Sequence, residues 1–220
     1  MSDRAATHRP HTTNMTGNQG SWSPRRITLT RAAFYAGPLC MLVYGAVRLS
    51  APEHRPDLSW AVGHLAMTLG VVLFGAVFLG LRRLVAPVGA AGRRSAGAAT
   101  ALGLIGVLAV TAQGVIDIVV GLRAADRPAM KELFEQVQSQ PGVMPAVYTV
   151  GPMLFYVGLV WLVVQLAAAR RIAVWRPVAV VLGVAAMAVS LDLIPLGAAL
   201  FCAALSPLAR ELTAPATAPR

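Results

Sequence analysis

The stretch from Gly103 to Gly121, GLIGVLAVTAQGVIDIVVG, is apolar and long enough to cross a bilayer, yet it carries Gln113 and Asp117. The two polar residues stand one helical turn apart. A helix therefore puts both on one face, with Gly106, Ala109 and Gly121 on or near it. A carboxylate deep in hydrocarbon costs at least ~2.5 to 3.5 kcal/mol, so this face must turn toward other helices or a wet cavity.

The rest of the chain supplies those helices. With 56% hydrophobic and 13% charged residues, the sequence excludes an ordinary soluble domain and predicts an all-α polytopic transmembrane bundle. We read residues 1–30 as a disordered cytoplasmic tail, 31–210 as the membrane domain and 211–220 as a short second tail. His8 and His11 fall in the first tail without partners. The formal net charge of +10 does not point to nucleic acid, because the arginines sit in the tails and in the connections between apolar runs. The expected partner is the lipid bilayer, and oligomeric state is left open. One lysine against eighteen arginines suits a high-GC bacterial genome. Cys40 and Cys202 lie inside apolar runs with no CxxC pattern, which predicts packing rather than redox or metal chemistry.

Along the chain, a first span is expected over about Ala32 to Leu49, with Gly37-Pro38 as a kink. Arg25-Arg26 before it resembles a twin-arginine export signal, but the long apolar segment without a cleavage site predicts a retained helix. A second span starts after Asp57 or Ser59 and runs to about Leu81, with Trp60 at its interface and His64 and Thr68 following at one-turn intervals. The third covers about Ala98 to Leu122 and the fourth about Pro145 to Ala168. The last apolar run, Pro177 to Ala209, would be ~50 Å long as one helix against a hydrocarbon core of ~30 Å. Ser190, Asp192 and Pro195 mark a break in its middle, giving six crossings, or five and a re-entrant piece.

Charge sets the orientation. Residues up to Arg31, the connection 82–96 and the connection 169–176 hold five, four and three arginines, which is twelve. The alternate connections hold Arg48, Arg55, Arg123, Arg127 and Lys131, which is five. The positive-inside rule then puts both termini in the cytoplasm of a bacterial inner-membrane protein, with Arg210 and Arg220 on that side too. Between the third and fourth spans, Met130, Leu133, Phe134 and Val137 repeat as one helical face, Pro128 suits a first turn and Pro141-Gly142 a stop. This predicts a short amphipathic helix on the extracytoplasmic surface, closing a loop or covering the bundle.

That topology gathers isolated polar residues at the outer half of the bundle. Asp117 and His64 are the candidate catalytic pair, since a carboxyl and an imidazole in a dry cavity are parts for proton chemistry. Gln113, Trp60, Tyr148, Tyr156, Arg48 and Asp192 are the candidate ligand-binding residues. The competing reading is structural, with Asp117 paired to Arg48 or His64 and Gln113 bonded across helices. No Walker loop, GxSxG, HExxH or paired intramembrane histidines occur, so neither a metal nor a cofactor is expected. The nearly aliphatic inner halves of the spans argue against a transporter path.

The tryptophan-led WAVGHLAMTLGVVLFGAVFLGLRRL, the amphipathic loop, VGPMLFYVGLVWLVVQLAAARRIAVWRP and the glycine-rich final hairpin together resemble polytopic membrane proteins of high-GC bacteria that have no agreed activity. A second likeness is to the small integral-membrane terpene cyclases. That resemblance implies an acid role for Asp117 on an isoprenoid, with Trp60, Tyr148 or Tyr156 stabilising a carbocation through their ring faces. Two functions follow as expectations: binding of a lipid-like ligand or a membrane partner, or membrane-embedded acid catalysis by Asp117.

Overall fold

The computed structural model describes residues 22–51, 56–85 and 89–213. His8, His11, Arg55, Arg220 and most of both tails lie outside the described residues. Among those described, every regular element is helical, and five helices are long and apolar enough to cross a membrane.

Helix α1 (Pro24–Ser50) begins earlier than the expected Ala32. Ser23 accepts the Arg26 N–H at 3.4 Å and Pro24 occupies the first turn, a cap and a preset φ that together start a helix. Pro38 lies inside this unbroken helix. α2 (Leu58–Val85) is capped by Asp57, whose carboxylate accepts the Trp60 N–H at 3.1 Å. α3 (Gly89–Arg123) also starts earlier than expected. Its first turns lack an apolar period, but Ser95 accepts from Trp161 Nε1 at 3.1 Å and from Gln165, and Ala96 and Ala99 are buried. Tertiary contact holds that extension in place.

The amphipathic connection forms α4 (Arg127–Gln138), with Asp126 accepting the Ala129 N–H at 2.9 Å and Pro128 in the first turn. Met130 is its buried residue, and Phe134 lies against Trp60 with ring centroids 6.1 Å apart. The expected fourth span is composite: a π-helix over Met144–Val150 runs into α5 (Gly151–Ala168). The last apolar run breaks where Ser190 predicted. α6 (Trp175–Val189) stops at Ser190, whose extended backbone and side-chain bond to the Asp192 N–H start a 3-10 turn (Leu191–Leu193). α7 (Ile194–Leu205) and the short α8 (Leu208–Glu211) follow.

Glycines let neighbouring backbones touch. A Cβ at Gly197 would stand 2.7 Å from the Gly183 carbonyl oxygen, so α6 and α7 pack backbone to backbone. At Gly80 it would meet Phe34 of α1. Between the helices Phe74, Phe78, Phe155 and Phe201 form edge-to-face contacts with centroids 5.2–6.1 Å apart. The two ends of the bundle differ. At the basic end Arg83 lies over the Trp22 ring at 5.1 Å and Arg176 donates to the Ala204 carbonyl at 3.4 Å. The opposite end carries α4, Arg48, Asp192 and the polar residues singled out above.

Candidate functional site

Asp117 and His64 are buried at the α4 end, each with 6% of its surface exposed. Gly121, one turn beyond Asp117, leaves room for the Trp60 indole, and Trp60 Nε1 donates to the Asp117 backbone oxygen at 2.8 Å. The same indole stacks on His64 with centroids 4.1 Å apart, and Tyr44 meets the imidazole edge-on at 5.3 Å. Helices α1, α2 and α3 thus fix one imidazole from two sides.

His64 Nδ1 lies 2.9 Å from the Trp60 carbonyl oxygen. A carbonyl only accepts, so this contact assigns the hydrogen to Nδ1, and Nε2 faces Asp117 Oδ2 at 3.7 Å. Two acceptors would then oppose each other. One proton on either Nε2 or Oδ2 removes the mismatch, which makes the pair a one-proton site. The other carboxyl oxygen, Oδ1, accepts from Tyr148 Oη at 3.2 Å.

Tyr148 reaches Asp117 from the π-helix, and proline chemistry accounts for that turn. Pro152 has no N–H to offer the Tyr148 carbonyl four residues back, and the Gly151 N–H bonds to Ala146, five residues back. The wider turn sets the phase with which Tyr148 leaves α5. The sequence signal for this turn is Pro152 itself.

Tyr148 is also a wall of a cavity of about 350 Å³ bounded by α1, α2, α3, α5, α6 and α7. Gln113, Tyr44 and Tyr156 supply its other polar groups, while Met41, Met67, Val71, Phe155 and Met187 are among the apolar residues of its lining. This size lies within the range of small-molecule pockets, and three methionines give an adaptable lining. Tyr44 is not among the candidate residues drawn from the sequence, and a cavity leaves no mark in a sequence.

The structure brings Asp117, His64, Trp60 and Tyr148 into contact and turns Gln113 into the adjoining cavity. It separates the rest. Arg48 Nε donates to Asp192 Oδ1 at 3.3 Å on the outer rim, with 63% of the Asp192 side chain exposed. Of the two partners weighed for Asp117, His64 faces it and Arg48 is engaged elsewhere. Tyr156 lines the same cavity but bonds away from Asp117, donating to Met187 Sδ at 3.5 Å. Because the Asp192 half of the pair is solvated, Asp192→Ala should lower stability by less than about 1 kcal/mol in chemical unfolding, and a larger loss would give the rim pair a structural weight denied here.

Among the described residues no cluster of three or more His, Cys, Asp or Glu side chains could hold a metal ion. No protein-family profile matches the chain, and no match to a curated protein or to a solved structure was found.

Proposed function

We propose that this chain is a six-crossing protein of the bacterial inner membrane, with both termini cytoplasmic and α4 on the extracytoplasmic face, that binds a lipid-like molecule between its helices. The excess of arginine at the basic end supports the orientation. α6 is the short crossing, since its fifteen residues rise ~22 Å, whereas the 3-10 turn, α7 and α8 together run 21 residues from Leu191 to Glu211. A helix of that length is accommodated by local thinning of the bilayer or by its flanking residues.

The observation that carries the binding reading is the cavity, largely apolar, whose Tyr44, Gln113 and Tyr148 offer hydrogen bonds to one end of a guest. Polar residues serving only as glue between helices need no such space beside them. The test is native mass spectrometry of protein drawn directly from membranes, comparing wild type with Val110→Trp, which fills the cavity without touching Asp117. Wild type is expected to retain one defined apolar molecule that the folded variant lacks. Bulk lipid alone on both would sink the reading and turn attention to a partner helix.

A second reading, acid catalysis, is favoured by one contact. Tyr148 touches the Asp117 carboxyl and lines the cavity, so a proton at Asp117 is one hydrogen-bonded group away from a guest. This is the role implied by the likeness to terpene cyclases. The Asp117 variants argued in the Discussion separate the two readings.

A further inference from the structure

Two spaces lie along the seam between α5 and α6. Toward the α4 end its walls belong to the cavity, with Tyr148 and Pro152 on one side and Met187 and Ala188 on the other. Toward the basic end it becomes a groove of about 620 Å³ between Val157, Val160 and Val164 of α5 and Val181, Val184 and Ala185 of α6. Tyr156 lines both spaces. Its bond to Met187 crosses the seam at the point where cavity and groove meet. A thioether is a weak acceptor, so little is lost when the phenol swings aside.

Neither space is lined by Asp, Glu, Lys, Arg or His. An ionised head in the cavity would be buried without a counter-charge, at a cost that excludes it. A hydroxyl or carbonyl head is matched by the Tyr44 and Tyr148 phenols and the Gln113 amide. The groove, on a lipid-facing side of the bundle, continues ~12 Å from Tyr156 to Val164 along α5, and offers only aliphatic and indole surface. Resting on the binding reading above, we infer that the ligand is an uncharged single-chain amphiphile, its head in the cavity and its chain laid past Tyr156 along the α5–α6 groove.

The test uses two photoreactive hexadecanols in nanodiscs holding the full chain, one with a diazirine beside the hydroxyl and one with it at the chain end. Labelling that excess plain hexadecanol displaces is mapped by peptide mass spectrometry. The head-end probe is expected on the peptides of Tyr148 or Met187, and the chain-end probe on those of Val160 to Val164 or Val181 to Val184. Ala185→Trp, which fills the groove from the lipid side, should cut displaceable chain-end labelling about tenfold, equivalent to about 1.4 kcal/mol, while sparing the head-end label. Val181→Trp makes the same test from the next turn should the first variant misfold. Displaceable head-end labelling with the chain end mapped outside the groove, or unmoved by both variants, overturns the inference and leaves cavity binding intact. If neither probe labels the cavity displaceably, the uncharged-alcohol class is wrong, and the mass measurement on Val110→Trp shows separately whether the binding reading fails as well.

Discussion

Gly158→Ala is expected to lower the stability of the bundle by about 1 to 3 kcal/mol, through the overpacking of one methyl group. A Cβ at Gly158 would stand 2.6 Å from the Gly103 nitrogen and 2.7 Å from the Ala99 carbonyl oxygen. Those are backbone atoms of α3, so no side-chain rotation relieves the clash and the helices must separate. Nearby, Gly106 meets the Phe155 backbone and Gly151 meets Ala109, so the whole α3–α5 contact moves together. In lipid this close approach is a main source of helix association, because burying apolar surface gains little there. A fall of about 5 °C in the unfolding midpoint in nanodiscs would report it. The control lies on the facing helix, α3, where a Cβ at Gly97 meets nothing within 4 Å. Gly97→Ala should be neutral or stabilising by up to about 1 kcal/mol, because alanine restricts the unfolded chain. Equal losses from both variants would refute the packing account. Separation of α3 from α5 should also cost bound ligand, since the first carries Gln113 and Asp117 and the second follows Tyr148.

Gly106, Ala109 and Gly121 share a face with Asp117 by spacing alone, and that face meets α5 and Trp60 in the structure. A helical period therefore carried the inward turn of Asp117, and the Ser190 to Pro195 signals carried the last break. What spacing conveys is depth along a helix and phase around it. It does not say which neighbouring helix stands opposite. Arg48 and Asp117 were placed at similar depth, yet Arg48 meets Asp192 because α1 presents it to the turn before α7. The first turns of α3 were missed for a related reason. GAAGRRSAG has no apolar period, and what holds it helical is the contact of Ser95 with two α5 side chains distant in sequence. The cavity was illegible altogether, since it is space left by side chains that fail to meet.

Asp117→Leu and Asp117→Asn should differ sharply, and the difference decides between structure, binding and acid chemistry. Leucine removes the acceptor of Tyr148 Oη and the carboxyl facing His64 Nε2. The loss is expected at about 1 to 3 kcal/mol for a hydrogen bond to a buried carboxyl, offset in part by removing an expensive carboxyl. Asparagine is a different matter. Its oxygen still accepts from Tyr148, and its amide can donate to Nε2, which is an acceptor once Nδ1 has given its hydrogen to the Trp60 carbonyl. It therefore copies the carboxyl in its protonated form without the mobile proton, and should stay within about 1 kcal/mol of wild type. A thermodynamic cycle with Tyr148→Phe should show a coupling of about 1 kcal/mol to Asp117→Leu and much less to Asp117→Asn in a Tyr148→Phe background, because only the phenol contact is shared. If Asn retains both fold and bound ligand, the carboxyl serves as a hydrogen-bonding wall and the binding reading stands. If Asn retains ligand yet accumulates it where wild type releases a changed product, the missing proton is the cause and Asp117 is the acid of an enzyme. Should Asn instead unfold as badly as Leu, the one-proton geometry assigned to His64 and Asp117 is wrong, and an ionised carboxylate facing a doubly protonated imidazole must replace it.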